Sequence, residues 1–139
     1  MILRNTKIED YDGIYELLNA SDMVFYSFSR EKFKKMLNKN KGCYFVAIDK
    51  NKIVGNIFAA HDGGYFGYIY KLAVLKHHRK DGIATALIEK VLGRFKEVKV
   101  RWVFCHIRKK NKISINLFKK FGFKDRKIHS LFDIYSVKK

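Results

Sequence analysis

Residues Tyr68 to Val91 read YIYKLAVLKHHRKDGIATALIEKV. An apolar strand passes through a basic turn containing Gly82 straight into an amphipathic helix. The first N–H groups of a helix have no partner inside it, and the macrodipole adds partial positive charge there, so a phosphate or pyrophosphate is favoured at that end. Gly82 permits close backbone approach, and Arg79 and Lys80 stand where they can pair with an anion. The segment therefore reads as an anion cradle.

The turn is neither the GxGxxG of a dinucleotide-binding turn nor the GxxxxGK of a nucleotide P-loop. Arg79, Lys80, Asp81, Gly82, Ile83 and Ala84 spell RxxGxA, which resembles the (R/Q)xxGx(G/A) pyrophosphate loop of the GNAT N-acetyltransferase superfamily. A second segment agrees. Asn111 to Phe123, NKISINLFKKFGF, is similar to the family's NxxAxxLYxxxGF helix, with Asn111, Ser114, Leu117, Phe118, Gly122 and Phe123 in register. The motifs stand in the family's order, and the strand expected before the second is Arg101 to Ile107.

The 139 residues suit one domain, large enough to bury roughly 70% of the unfolded surface around a single core. Residues 1–139 are thus expected to form a single N-acetyltransferase domain. No apolar run approaches the roughly 18 residues that span a bilayer, and the N-terminal stretch has no signal-peptide core, so a soluble, cytoplasmic protein is expected, without a membrane. Cys43 and Cys105 fall in predicted strands and read as buried reduced thiols rather than nucleophiles.

Thirty Lys and Arg against 13 Asp and Glu give a formal charge of +17. Such a field attracts polyanions: coenzyme A itself, and also nucleic acid or a ribosomal surface. The basic residues are scattered, and no recognised nucleic-acid motif accompanies them. AT-rich coding produces the same lysine-rich drift with no binding purpose.

Along the chain, Ile2 to Asn5 predicts a strand. Thr6 with Glu9 predicts a capping box opening a helix whose buried stripe is Tyr11, Ile14, Tyr15 and Leu18. A second helix is expected after Ser29, with Phe33, Met36 and Leu37 on one face. Cys43 to Ile48, Ile53 to Ala60 and Tyr65 to Val74 predict an antiparallel meander. The helix after the cradle should bury Ala84, Leu87, Ile88, Val91, Leu92 and Phe95. A helix Ile113 to Phe121 capped by Gly122 and a final strand pair, Phe123 to Arg126 and Leu131 to Val137, complete the order βααβββαβαββ. That α/β mixed sheet resembles the GNAT acyl-CoA N-acyltransferase fold from end to end.

The resemblance implies an acetyl-CoA-dependent N-acetyltransferase in which a primary amine attacks the thioester directly, with acetyl-CoA as co-substrate and no metal. Backbone N–H groups from Arg79, Lys80, Asp81, Gly82, Ile83, Ala84 and Thr85 are implied to hold the pyrophosphate. Leu72, Ala73 and Val74 align with the bulged strand that leaves groups free for pantetheine and the thioester carbonyl, Leu72 through its backbone. Asn111, Ser114 and Phe118 complete the implied CoA-binding set. An Asn at position 111 is equally a helix N-cap, and both readings stand.

Proton transfer is where the sequence departs from the family. The position that often carries a tyrosine acid is Phe118, and where a carboxylate base is often found the chain has Tyr70 and Lys71. Tyr70, His106 and Tyr135 are the candidate replacements, with Tyr68 beside them. A tyrosine in a strand is more often a packed aromatic, and His106 equally faces core or solvent. His77 and His78 are adjacent but lack the ligand cluster a metal requires.

Acceptor specificity in similar proteins lies at roughly Asn19 to Arg30 and Lys127 to Phe132. Those segments hold Asp22, Tyr26, Phe28 and His129, and leave a protein amine, a small metabolite or an antibiotic open. The alternative is a catalytically weak acyl-CoA sensor or partner-binding module, motivated by Phe118 and the missing carboxylate. Monomer and homodimer are equally compatible with the sequence.

Overall fold

A computed structural model describes residues 1–23 and 28–127. Five strands form one sheet in the order β1-β2-β3-β4-β5: β1 (Ile2–Asn5), β2 (Phe45–Asp49), β3 (Lys52–His61), β4 (Phe66–Val74) and β5 (Trp102–Phe104). The first four are antiparallel neighbours, whereas β5 runs parallel to β4. Helices α1 (Tyr11–Ala20) and α2 (Arg30–Lys39) lie between β1 and β2, α3 (Ile83–Glu97) between β4 and β5, and α4 (Lys112–Lys120) after β5. The described elements follow the expected order through α4. Residues 123–126 carry no strand, and the partner segment expected at 131–137 lies outside the described residues. Contacts divide the chain into two compact units, Met1–His106 and the segment from Ile107 onward.

The sheet of the first unit has two differently built faces. On one, α3 buries Ile83, Leu87, Ile88, Val91 and Phe95, and glycines let it approach. A Cβ on Gly55 would stand 2.9 Å from Ile83 Cγ2, and one on Gly67 would stand 2.7 Å from the ring of Phe95. The other face is aromatic. Phe58, fully buried, packs against Phe28, Phe33, Tyr44 and Tyr70 with ring centroids 5.0–6.2 Å apart. Alternation along β4 puts Gly67 and Ile69 toward α3 and Tyr68 and Tyr70 on the aromatic face.

Local chemistry explains most boundaries. Ser29 caps α2 by accepting from the Lys32 N–H at 3.1 Å. The β2–β3 hairpin turns through Lys50 and Asn51, both at positive φ, as a two-residue primed turn requires. The cap before α1 is displaced from the expected Thr6–Glu9 box. Asp10 accepts from the Lys7 N–H at 2.7 Å and holds both terminal nitrogens of Arg4 at 2.8 Å, closing a short 3-10 turn at Ile8–Asp10. Thr6 Oγ1 is buried without a hydrogen-bond partner among the described residues. Helix α1 accordingly buries Ile14, Leu17 and Leu18, while Tyr15 stays exposed.

In the second unit, α4 ends as sequence reasoning expects. Gly122, at φ +90°, donates to Lys119 O and Phe123 donates to Phe118 O, while the Phe118 and Phe123 rings meet edge-on at 5.0 Å. These are the two hydrogen bonds and the hydrophobic contact of a Schellman cap.

Candidate active site

The middle of the sheet carries a defect that a regular strand would not have. Asn56 pairs with Ala73, but the next paired residues are Phe58 and Tyr70, so β4 has one residue more than β3 between these rungs. The extra residue forms a bulge at Lys71–Leu72, and Lys71 adopts φ +52°. Asn56, with no solvent exposure, donates its side-chain N–H to the Lys71 carbonyl at 3.0 Å.

On the other edge of β4 the ladder with β5 ends early. The paired residues are Phe66 with Trp102, Gly67 with Val103 and Tyr68 with Phe104. β5 is thus shorter than the expected Arg101–Ile107, and β4 continues to Val74 with no strand of the described residues on that edge. Leu75 N–H bonds to Val54 O at 2.8 Å on the β3 side. Backbone alternation therefore points the N–H groups of Leu72 and Val74 toward the open edge. The Val74 carbonyl on that edge accepts from Arg79 Nε at 3.0 Å. Arg79 thus folds back on its own strand, holding the turn rather than extending from it.

The turn itself leaves backbone donors unused. Lys80 and Gly82 both have positive φ, near +77° and +78°. Ala86 is the first residue to donate back, to Gly82 O at 3.0 Å, which leaves the N–H groups of Ile83, Ala84 and Thr85 without helical partners. The first turn of α3 has no acidic residue, and a Cβ at Gly82 would meet nothing within 4 Å. Open space lies over free donors. The short 3-10 turn Lys76–His78 leading in is tied to β2, where His78 Nε2 lies 3.1 Å from Asp49 Oδ2.

Of the sequence candidates for proton transfer, the structure gathers three and adds a fourth. Tyr68 and Tyr70 stack at 5.6 Å; Tyr68 Oη lies 2.8 Å from His106 Nδ1, and Tyr70 Oη lies 3.3 Å from Tyr44 Oη. Burial pushes the Tyr44 phenol far above its ordinary value, and its hydrogen bond to Tyr70 acts in the same direction. Burial also raises Tyr70, there partly offset by the bond to Tyr44. Both phenols therefore keep their protons at neutral pH, and either can donate across the pair; with Tyr44 as the donor, the Tyr70 O–H is left for another acceptor. Tyr68 is likewise raised by burial; with its phenol as the donor to His106 Nδ1, the imidazole carries its proton on Nε2. The cluster can give a proton through phenols and take one through an imidazole.

Tyr135, Tyr26 and His129 lie outside the described residues. In the second unit, Asn111 caps α4 by accepting from the Ser114 N–H at 3.1 Å, and Phe118 is buried. A shallow groove on the first unit is lined by Tyr11, Asp12, Tyr15, Glu16, Asn19, Phe28 and Ser29. Both cysteines are unbridged, Cys43 buried and Cys105 half-buried, and burial pushes the Cys105 thiol up to about 11. Among the described residues no cluster of three His, Cys, Asp or Glu could hold a metal ion, and no helix is long and apolar enough to cross a membrane.

Sequence reasoning missed Asn56 and Tyr44. The signal for Asn56 was a lone amide inside the otherwise apolar run Ile53 to Ala60. Tyr44 had no local signal, because its partner comes from a strand 26 residues away.

A bulged strand with one open edge, running into a donor-rich helix start, defines an acyltransferase scaffold, and the comparisons with known proteins agree. The profile of the Acetyltransferase (GNAT) family matches residues 11–123. An N-alpha-acetyltransferase of Sulfurisphaera tokodaii is 30% identical over 91% of this chain and 81% of its own. Among solved structures, Ard1 from Thermoplasma volcanium superposes with TM-score 0.79 at 21% identity, covering 88% of this chain and 82% of that one. A chain of the NatC complex bound to Gag peptide and CoA gives 0.78 at 22% identity, over 91% and 86%. The chain belongs to the GNAT family and is an acetyltransferase. Its fold is the GNAT fold.

Proposed function

We propose that this protein transfers the acetyl group of acetyl-CoA to the N-terminal α-amine of protein or peptide substrates. The observation that carries the reading is the make-up of the cluster beside the bulge: phenols and one imidazole in place of the carboxylate often found in the family. A lysine side chain, with pKa near ~10.4, is almost wholly protonated at physiological pH, whereas an α-amine, near ~7.7, is already partly neutral and needs only the weak base that an imidazole supplies. The likeness to an N-alpha-acetyltransferase over most of both chains supports the same acceptor.

Acetyl-CoA supplies the acetyl group and a thiolate that leaves. The N–H groups of Ile83, Ala84 and Thr85, with those of the turn from Arg79 to Gly82, bind the pyrophosphate. The open edge at Leu72 and Val74 accepts the pantetheine arm, and the Leu72 N–H polarises the thioester carbonyl as its oxygen gains charge. The family resemblance also assigns Asn111, Ser114 and Phe118 to CoA binding, and within its own unit Asn111 Oδ1 caps α4. His106, through Tyr68 or a water, accepts the proton that the amine loses. Tyr70, held by Tyr44, donates to the departing thiolate, the role that Phe118 cannot fill.

The groove lined by Tyr11, Tyr15 and Phe28 supports an acceptor entering over α1. Of its carboxylates, Asp12 pairs with Arg30 and Glu16 supplies local negative charge on a strongly basic chain. Thiol release from acetyl-CoA, followed over a panel of peptides with free or blocked N-termini, polyamines and aminoglycosides, tests the reading. Release with free N-termini alone is expected; release with polyamines or aminoglycosides instead would overturn it.

A further inference from the structure

The thioester-polarising role proposed for Leu72 needs its N–H held in one place, and a β-bulge centred on a lysine at positive φ does not hold itself. Only glycine occupies that region without steric cost, so a lysine there must be fixed by its surroundings. Asn56 supplies such a contact. It lies on β3 directly across from the bulge, is fully buried, and its amide N–H reaches the Lys71 carbonyl at 3.0 Å. In a regular ladder a backbone N–H from β3 would meet a carbonyl of β4. Here the extra residue breaks the register between Asn56 and Phe58, and the side chain takes over that task.

A second observation separates this from ordinary packing. Asn56 Oδ1 is buried and has no hydrogen-bond partner among the described residues. An unsatisfied buried acceptor is destabilising, and a β-branched apolar side chain would suit the sheet interior better on stability grounds. The amide is retained at a cost, and the one bond it makes among the described residues runs to the residue that sets the direction of the Leu72 N–H.

We infer that Asn56 is a positioning residue for acetyl transfer, locking the Lys71–Leu72 bulge so that the Leu72 N–H meets the thioester oxygen. The inference rests on the active-site reading above, and its test separates the two. In Asn56→Val, kcat should fall about 10²-fold, as expected when a donor is displaced by an ångström. Affinity for CoA, held chiefly by the turn before α3, should stay within about 3-fold, since that contact is untouched.

Amide exchange on the ligand-free protein reads the bulge without reference to catalysis. The amides of Lys71, Leu72 and Ala73 should exchange about tenfold faster or more in the variant, while those of β2 and α3 keep their protection. Asn56→Asp gives a further signature. An ionised carboxylate cannot donate to Lys71 O but a protonated one can, so the ratio of variant to wild-type kcat should rise as pH falls. Unchanged kcat with unchanged exchange in Asn56→Val, faster exchange throughout the sheet with parallel loss of CoA binding, or a flat pH ratio in Asn56→Asp would each overturn the inference. A wild-type protein without transferase activity would instead defeat the active-site reading, and local exchange at the bulge would still decide the role of Asn56.

Discussion

The phenol oxygen of Tyr68 lies 2.8 Å from Nδ1 of His106, two residues past Phe104, where the β4–β5 ladder ends. The imidazole is exposed, and Tyr68 and Tyr70 are half-buried behind it, so the cluster runs from solvent into the aromatic face of the sheet. If these groups move protons, removing them should slow chemistry rather than binding. Tyr70→Phe and His106→Gln should each lower kcat about 10- to 100-fold with the acetyl-CoA KM little changed. The His106→Gln defect should shrink toward pH 9, where an α-amine of pKa about 7.7 has already lost its proton. Because burial raises the Tyr70 phenol, its donor form should persist to alkaline pH. Steady-state pH profiles of the two variants check both points.

The turn before α3 makes a prediction in which charge, not bulk, decides. A side chain at Gly82 meets no atom within 4 Å but must adopt φ +78°, at about 1–2 kcal/mol for a non-glycine residue. Gly82→Ala should therefore lose modest stability and little acetyl-CoA affinity. Gly82→Glu should add repulsion between a carboxylate and the pyrophosphate and raise the dissociation constant at least about tenfold. Calorimetric titration with CoA distinguishes them; equal losses in both variants would mean that the turn acts by shape alone.

Gly67 allows Phe95 of α3 to lie against the sheet, and a Cβ there would stand 2.7 Å from the ring. The neighbour is a buried aromatic flanked by Val100, so it cannot swing clear. Gly67→Ala should destabilise the protein by about 1–3 kcal/mol through overpacking. Chemical denaturation reads this directly. Gly63→Ala, where a Cβ meets nothing although φ is +79°, is a control for glycine loss without a clash.

Acid stability should depend on Asp10. Burial alone would raise its carboxyl, but hydrogen bonds from Arg4 and the Lys7 N–H outweigh it and hold the group below the usual aspartate range. A depressed folded-state pKa means stability that is fully present above the unfolded value, near ~3.9, and lost as pH falls through the folded value. Unfolding free energy should therefore drop below about pH 4 in the wild type, and more shallowly in Asp10→Asn. The same variant should be less stable at pH 7, because Arg4 loses its bidentate partner.

How far the sequence could be read follows the range of the interactions. The turn from Arg79 to Ala84 was legible because its chemistry is local: a glycine, free N–H groups and a helix that begins at once. The Schellman cap at Gly122 was legible for the same reason. The Asp10 cap was misplaced by one step, because Thr6 and Glu9 mimic a capping box while the better acceptor also binds Arg4 on β1. The bulge position at Leu72 was reached through resemblance alone, since no residue between Tyr70 and Val74 is a glycine to mark it. Asn56, Tyr44 and the early end of β5 depend on register between strands distant in sequence, and single-strand patterning carries no register.

The central claim is acetyl transfer from acetyl-CoA to an N-terminal α-amine. It is tested most directly by incubating the protein with acetyl-CoA and a peptide that carries both a free N-terminus and an internal lysine, then locating the added acetyl group by fragmentation mass spectrometry. The account predicts acetylation at the α-amine, reduced in Gly82→Glu at subsaturating acetyl-CoA and slowed in Tyr70→Phe. Acetylation of the lysine side chain with the α-amine left free would contradict it.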